Sequence, residues 1–70
     1  SRHLNLRQIK ILRLLQNLES IGVDEYAKKY SVTKMTALRD LRGLLSENRV
    51  IRVGKARATR YLLPTISNLK

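Results

Sequence analysis

Between Leu6 and Leu18 the apolar residues Leu6, Ile9, Leu12, Leu15 and Leu18 recur every third position, with Ile11 and Leu14 beside them. This spacing predicts an amphipathic helix over 5–19. Asn5 is placed to cap its start, and Arg7, Lys10, Arg13 and Gln16 lie away from the middle of the stripe. Glu19, Ser20 and Gly22 end the helix, and Ile21 and Val23 suit a very short strand. A second helix is expected over 24–30. Asp24 and Glu25 favour the positive end of a helix dipole, while Tyr26, Ala27 and Tyr30 recur one turn apart. Ser31 and Val32 then make a tight turn, and Thr33 caps a third helix over 34–47. On that helix Ala37, Leu38, Leu41, Leu44 and Leu45 form a core stripe, whereas Met35, Thr36, Arg39, Arg42 and Ser46 share the opposite side.

After Asn48 the period changes from 3.6 to 2. Val50 to Val53 and Arg60 to Leu63 read as the two strands of a hairpin over 50–63, joined by a polar, basic loop from Gly54 to Thr59. Pro64 ends the second strand because it has no N–H for a ladder. The tail from Thr65 to Lys70, with Ile66 and Leu69, has two readings, a last helical turn or a frayed end. The expected fold class is therefore mainly α with a small β-hairpin: a single three-helix winged helix-turn-helix domain.

Seventy residues support one core, and with no Trp or Phe and three Tyr that core is aliphatic. Charge changes the picture more: 15 Lys and Arg against 5 Asp and Glu give a formal net charge of +10. Such an excess points to a polyanionic partner, nucleic acid ahead of a membrane surface. Having no cysteine, the chain has neither a disulfide nor a thiolate metal site, and it reads as cytoplasmic. The lone His3 has no second ligand residue type beside it for a metal. No apolar run is long enough for a membrane span. Ser1 opens the chain, which fits either a processed product or a domain cut from a longer protein.

A helix fits the DNA major groove and can present its first turns to base edges, while a basic hairpin loop reaches the flanking groove or backbone. On this reading double-stranded DNA is the partner. Thr33 and Lys34 would hold phosphate, Met35 and Thr36 touch a thymine methyl, and Arg39 forks onto guanine, with Arg42 one turn further on. The wing offers Lys55, Arg57, Thr59 and Arg60. Each has a plainer alternative: Arg39 and Arg42 as solvated positions or partners of Asp40 or Glu47, and Met35 as a filler. Asp40 is read as lying off the core stripe, a salt-bridge partner that fixes the helix. The three tyrosines are read as core residues with hydroxyls at the rim. Gly43, mid-helix, permits close approach of another helix or of DNA.

The string VDEYAKKYSVTKMTALRDL from Val23 to Leu41 resembles the DeoR-type helix-turn-helix pattern, ending in Arg39-Asp40-Leu41. With the Gly54-Lys55-x-Arg57-x-Thr59-x-Tyr61 hairpin, the chain also looks like the winged-helix module that closes bacterial Fic-family proteins. It is similar as well to the module ending AlbA-like-domain regulators labelled as RecG-related helicases. Ser31 replaces the usual turn glycine, and Ala37-Leu38 replaces Ile-Arg, removing one expected contact. The resemblance implies a DNA-binding module of a bacterial transcription regulator. The rival reading is a protein-interaction or autoregulatory module serving other domains of its parent, with Met35 and Leu38 as an apolar patch; RNA binding is a third. The Fic catalytic motif, Gly-rich phosphate loops and nucleophile elbows are missing from the sequence, so neither catalysis nor a cofactor is expected.

Overall fold

A computed structural model describes residues 3–64, so the two readings of the tail from Thr65 lie outside the described residues. Three helices precede a two-stranded antiparallel hairpin: α1 (Leu6–Leu14), α2 (Val23–Tyr30), α3 (Lys34–Ser46), β1 (Ile51–Val53) and β2 (Arg60–Leu62). The strands pair with Ile51 opposite Leu62, Arg52 opposite Tyr61 and Val53 opposite Arg60. The core is aliphatic with two tyrosines, built from Ile11, Leu15, Ile21, Tyr26, Ala37, Leu41, Leu44, Val50 and Tyr61. This arrangement is that of a winged helix-turn-helix, as the alternation of periods predicted.

α1 departs from expectation in length and in face. It stops at Leu14, where the chain tightens into a turn closed by Gln16 N–H to Arg13 O and Asn17 N–H to Leu14 O. Its buried side runs through Gln8, Ile11 and Leu15, whereas Leu6, 64% exposed, Ile9 and Leu18 face outward. Two apolar stripes at helical spacing compete on this helix, and polar chemistry selects between them. Asn5 accepts from the Gln8 N–H at 2.9 Å, and the Gln8 side chain accepts from the Asn5 N–H at 2.8 Å, a reciprocal capping box. The same two amides then reach α3. Asn5 Nδ2 donates to Asp40 Oδ1 and Gln8 Nε2 to the Asp40 carbonyl, each at 2.9 Å. Turning Leu6 and Ile9 inward would break both bonds.

Asp40 is thus not off the core stripe. It follows Ala37 by three residues and shares the inward face with Leu41 and Leu44, with 3% of its surface exposed. Its carboxylate accepts from Arg7 Nε at 2.7 Å, from Arg7 Nη2 at 3.3 Å and from the Tyr26 hydroxyl at 2.8 Å. The partner that fixes the helix is therefore Arg7 of α1, not a neighbour on α3. Burial alone would raise the Asp40 pKa, but hydrogen bonds from Arg7, Asn5 and Tyr26 outweigh it and hold the group below the ordinary carboxylate range. Burial and the same carboxylate push the Tyr26 phenol well above its usual value, so that hydroxyl is a buried donor and not a rim group.

α2 begins one residue early because Gly22 caps it, with the Glu25 carboxylate accepting from the Gly22 N–H at 2.9 Å. Val23 therefore joins the helix, and Ile21 alone forms a bridge to Tyr61. The turn to α3 passes through Ser31 at φ 54°, the left-handed conformation that the resemblance associates with glycine. α3 ends at Ser46, a residue short of expectation, where the Ser46 hydroxyl donates to the Gly43 carbonyl at 2.9 Å. Gly43 serves the helix contact and not a DNA approach: a Cβ there would lie 2.8 Å from Gln8 Nε2. Each strand is one residue shorter than expected, with Val50 before β1 and Leu63 after β2, while Gly54 to Thr59 form the expected loop, which contains a 3-10 segment, Ala56–Ala58.

Replacing Asp40 with Ala leaves a buried Tyr26 hydroxyl and Arg7 without their acceptor, and is expected to cost about 3 kcal/mol in urea unfolding. Because the folded pKa is lowered, the charged Asp40 adds stability above the ordinary carboxylate range near pH 4. That increment is lost as pH falls through the folded value, so Asp40→Asn should flatten the acid limb of stability against pH.

Candidate nucleic-acid interface

The free face of α3 follows from its inward one. With Ala37, Asp40, Leu41 and Leu44 buried, Met35, Arg39 and Arg42 project outward at i, i+4 and i+7 as exposed side chains. Thr33 caps the helix, its Oγ1 accepting from the Thr36 N–H at 3.1 Å. The Thr33 hydroxyl also lies 3.1 Å from the Thr36 hydroxyl, to which it donates, so Thr33 is occupied as a cap while half-buried Thr36 keeps its own O–H to offer. Lys34 lies at the helix start with its ammonium 3.2 Å from Asp24, and both side chains are well exposed. Such a pair is worth less than about 1 kcal/mol and yields readily to a phosphate.

The wing is held at its base. Arg60 Nη1 lies 3.0 Å from the Glu25 carboxylate, Nε donates to the Ser20 hydroxyl at 3.0 Å, and Nη2 donates to the Ser20 carbonyl at 3.3 Å. Glu25 is the residue that caps α2, and Ile21 between these partners exchanges backbone hydrogen bonds with Tyr61 at 2.8 and 2.9 Å. The guanidinium of Arg60 is therefore engaged in joining β2 to the start of α2, whereas the sequence offers it with Lys55 and Arg57 as a wing contact to DNA. Lys55 and Arg57 remain exposed in the loop, and Thr59 is half-buried. Gly54 makes the loop's path possible at φ 87°, where a Cβ would collide with the Ala58 carbonyl oxygen.

A groove runs between the start of α2, the start of α3 and the wing. The structure brings Lys34, Arg57, Thr59 and Arg60 to its walls, together with Asp24, Glu25 and Leu38. Met35, Thr36, Arg39 and Arg42 lie on α3 outside this groove. Exposed Arg49 and Arg52, in the turn after α3 and on β1, add positive charge that sequence reasoning did not assign to the site. Arg52 pairs with buried Tyr61, and cross-strand partners share a face, so strand alternation carries no signal that Arg52 is exposed. Lys28 and Lys29 close α2 as exposed basic residues. No helix among the described residues is long and apolar enough to cross a membrane.

Arg60→Ala is expected to lower stability by about 1 kcal/mol and to speed amide exchange at Ile21 and Tyr61, because it opens the wing joint. Lys55→Ala, in the exposed loop, should change neither.

Comparison with curated proteins finds no match. The DeoR-like helix-turn-helix domain matches residues 7–58, a span that starts within α1 and includes α2, the turn at Ser31, α3, β1 and the wing's 3-10 segment. By that match over most of its length, the chain belongs to the DeoR-like helix-turn-helix domain family.

Proposed function

We propose that this domain is the DNA-binding module of a bacterial transcription regulator, with α3 in the major groove and the wing on the flanking groove or backbone. The observation that carries the reading is the division of α3. Its only acidic residue, Asp40, is buried and neutralised by Arg7, leaving an outer face with Arg39 and Arg42 and no carboxylate. Arg39 is the base reader, able to fork onto the O6 and N7 of guanine, while Met35 and Thr36 offer methyl groups to thymine. Lys34, released from Asp24, together with Arg42, Lys55 and Arg57, neutralises phosphate, with Thr59 as an uncharged contributor. Arg60 acts on DNA only through the wing it fixes. Thr33 sets the start of the helix and presents it to the backbone.

The sequence resemblance to the closing modules of Fic-family and AlbA-like-domain proteins supports a place beside other domains of a larger cytoplasmic protein. No catalytic role is assigned to these residues. Met35, 69% exposed beside half-buried Leu38, supports a second reading in which the same helix docks on a protein surface. The two readings part on salt and on sequence. For DNA, log affinity in fluorescence polarisation should fall linearly with log salt, by about 0.9 per phosphate contact. Lys55→Ala should reduce that slope by about one contact for every sequence, and Arg39→Ala should cost about 1–3 kcal/mol of discrimination between preferred and altered duplexes. A response independent of salt, or equal loss on all duplexes for Arg39→Ala, would exclude this arrangement.

A further inference from the structure

We propose that the cleft between α1 and α2 is a separate binding site for a phosphate group, held by Lys10, Arg13 and Lys29 with the Tyr30 hydroxyl as its neutral donor. The cleft is lined by these four residues and Leu14, with none from α3 or the wing, so it lies outside the surface assigned to DNA reading. Three cations meet there, and no acidic residue lines it. Like charges gathered in one cleft repel each other unless an anion joins them.

The second observation is independent of charge. The Tyr30 hydroxyl oxygen is buried and is the only buried side-chain polar atom among the described residues that has no hydrogen-bond partner. Buried polar groups are ordinarily paired, and leaving one unmade is unfavourable, so this hydroxyl would gain from an acceptor brought to the cleft. The ring is also fixed in place. It packs edge-on against Tyr26, with centroids 4.9 Å apart and planes at 64°, and Tyr26 is itself held by Asp40. Lys29 Nζ lies 5.8 Å from the centre of the Tyr30 ring, a position from which it can swing to an anion at the hydroxyl. Burial raises the Tyr30 pKa, which keeps the phenol protonated and able to donate. One O–H donor beside three ammonium or guanidinium groups matches the oxygens of a phosphate, which accept several charge-assisted bonds at once.

Inorganic phosphate is the probe, and the whole 70-residue chain is the sample. In NMR titrations at constant ionic strength, phosphate should shift the Arg13, Lys29 and Tyr30 signals saturably, and chloride should not. Tyr30→Phe keeps the ring contact with Tyr26 and should weaken phosphate binding about fivefold, the effect of one neutral hydrogen bond. Without phosphate this variant should melt no lower than the parent, since it removes an unpaired buried hydroxyl. Phosphate raises the melting temperature of proteins in general, so the site is read from the extra gain of the parent over Tyr30→Phe. Arg13→Gln should lower that gain as well, while Arg39→Ala should leave it intact.

Equal gains in parent and Tyr30→Phe, or shifts reproduced by chloride, would overturn the proposal. A duplex-binding arm identifies where the phosphate comes from. If it belongs to a DNA backbone, Arg13→Gln lowers duplex affinity and the salt slope by about 0.9; if it belongs to a free phosphorylated molecule, duplex binding is unchanged. Because the phosphate titration contains no DNA, its failure and failure of the DNA reading are separate results.

Discussion

The carboxylate of Asp40 receives hydrogen bonds from both ends of the domain's helical core. Arg7 and Asn5 approach from α1 and Tyr26 from α2, while Gln8 takes the backbone carbonyl of the same residue. A buried ion pair gives up much of its Coulomb gain to desolvation, so such a group adds less to stability than its short distances suggest. What it adds is geometry. Each bond has a direction, and together they fix the rotation of α1 and the attitude of α3 in a way that an aliphatic core of interchangeable leucines would not. The same burial clears the outward face of α3. An exposed aspartate on that face would repel an anion; here the charge is turned inward and compensated.

A second polar joint repeats this logic at the wing. Glu25 caps α2 through the Gly22 N–H and also holds Arg60, and Arg60 grips Ser20 twice. These groups are half exposed, so the joint is weaker than the Asp40 cluster. Its effect is again on direction. Two strands of three residues make a marginal hairpin alone, and the bridge between Ile21 and Tyr61 with the Arg60 contacts ties it to the start of α2. Lys55 and Arg57 are carried on a loop whose base is fixed and whose tip is free.

Much of this was legible in the residues themselves. Thr33 before a basic, apolar-periodic stretch marked the start of α3, and the change of period after Asn48 marked the hairpin. The rotation of α1 was not legible, because Leu6 and Ile9, three apart, and Ile11 and Leu15, four apart, each fit one face of a helix. Asn5 and Gln8, three apart, carried the signal of a capping box, but their second bonds to Asp40 span more than thirty residues. Asp40 at i+3 from Ala37 is a core position by geometry, yet an aspartate there is an unfavourable choice until three donors are known to converge on it. Arg60 posed the same problem. Nothing local separates it from Lys55 and Arg57; only the return of the chain past Ser20 and Glu25 does. The cleft holding Lys10, Arg13, Lys29 and Tyr30 likewise joins two helices whose relative placement no local pattern contains.

That a buried and ionised Asp40 orients α3 is tested most directly by following the 13Cγ resonance of Asp40 through an acid titration. Asp40 is expected to stay ionised through the ordinary carboxylate range near pH 4 and to protonate only below it, together with loss of the folded spectrum. A midpoint at or above that range, with the fold intact, would contradict it.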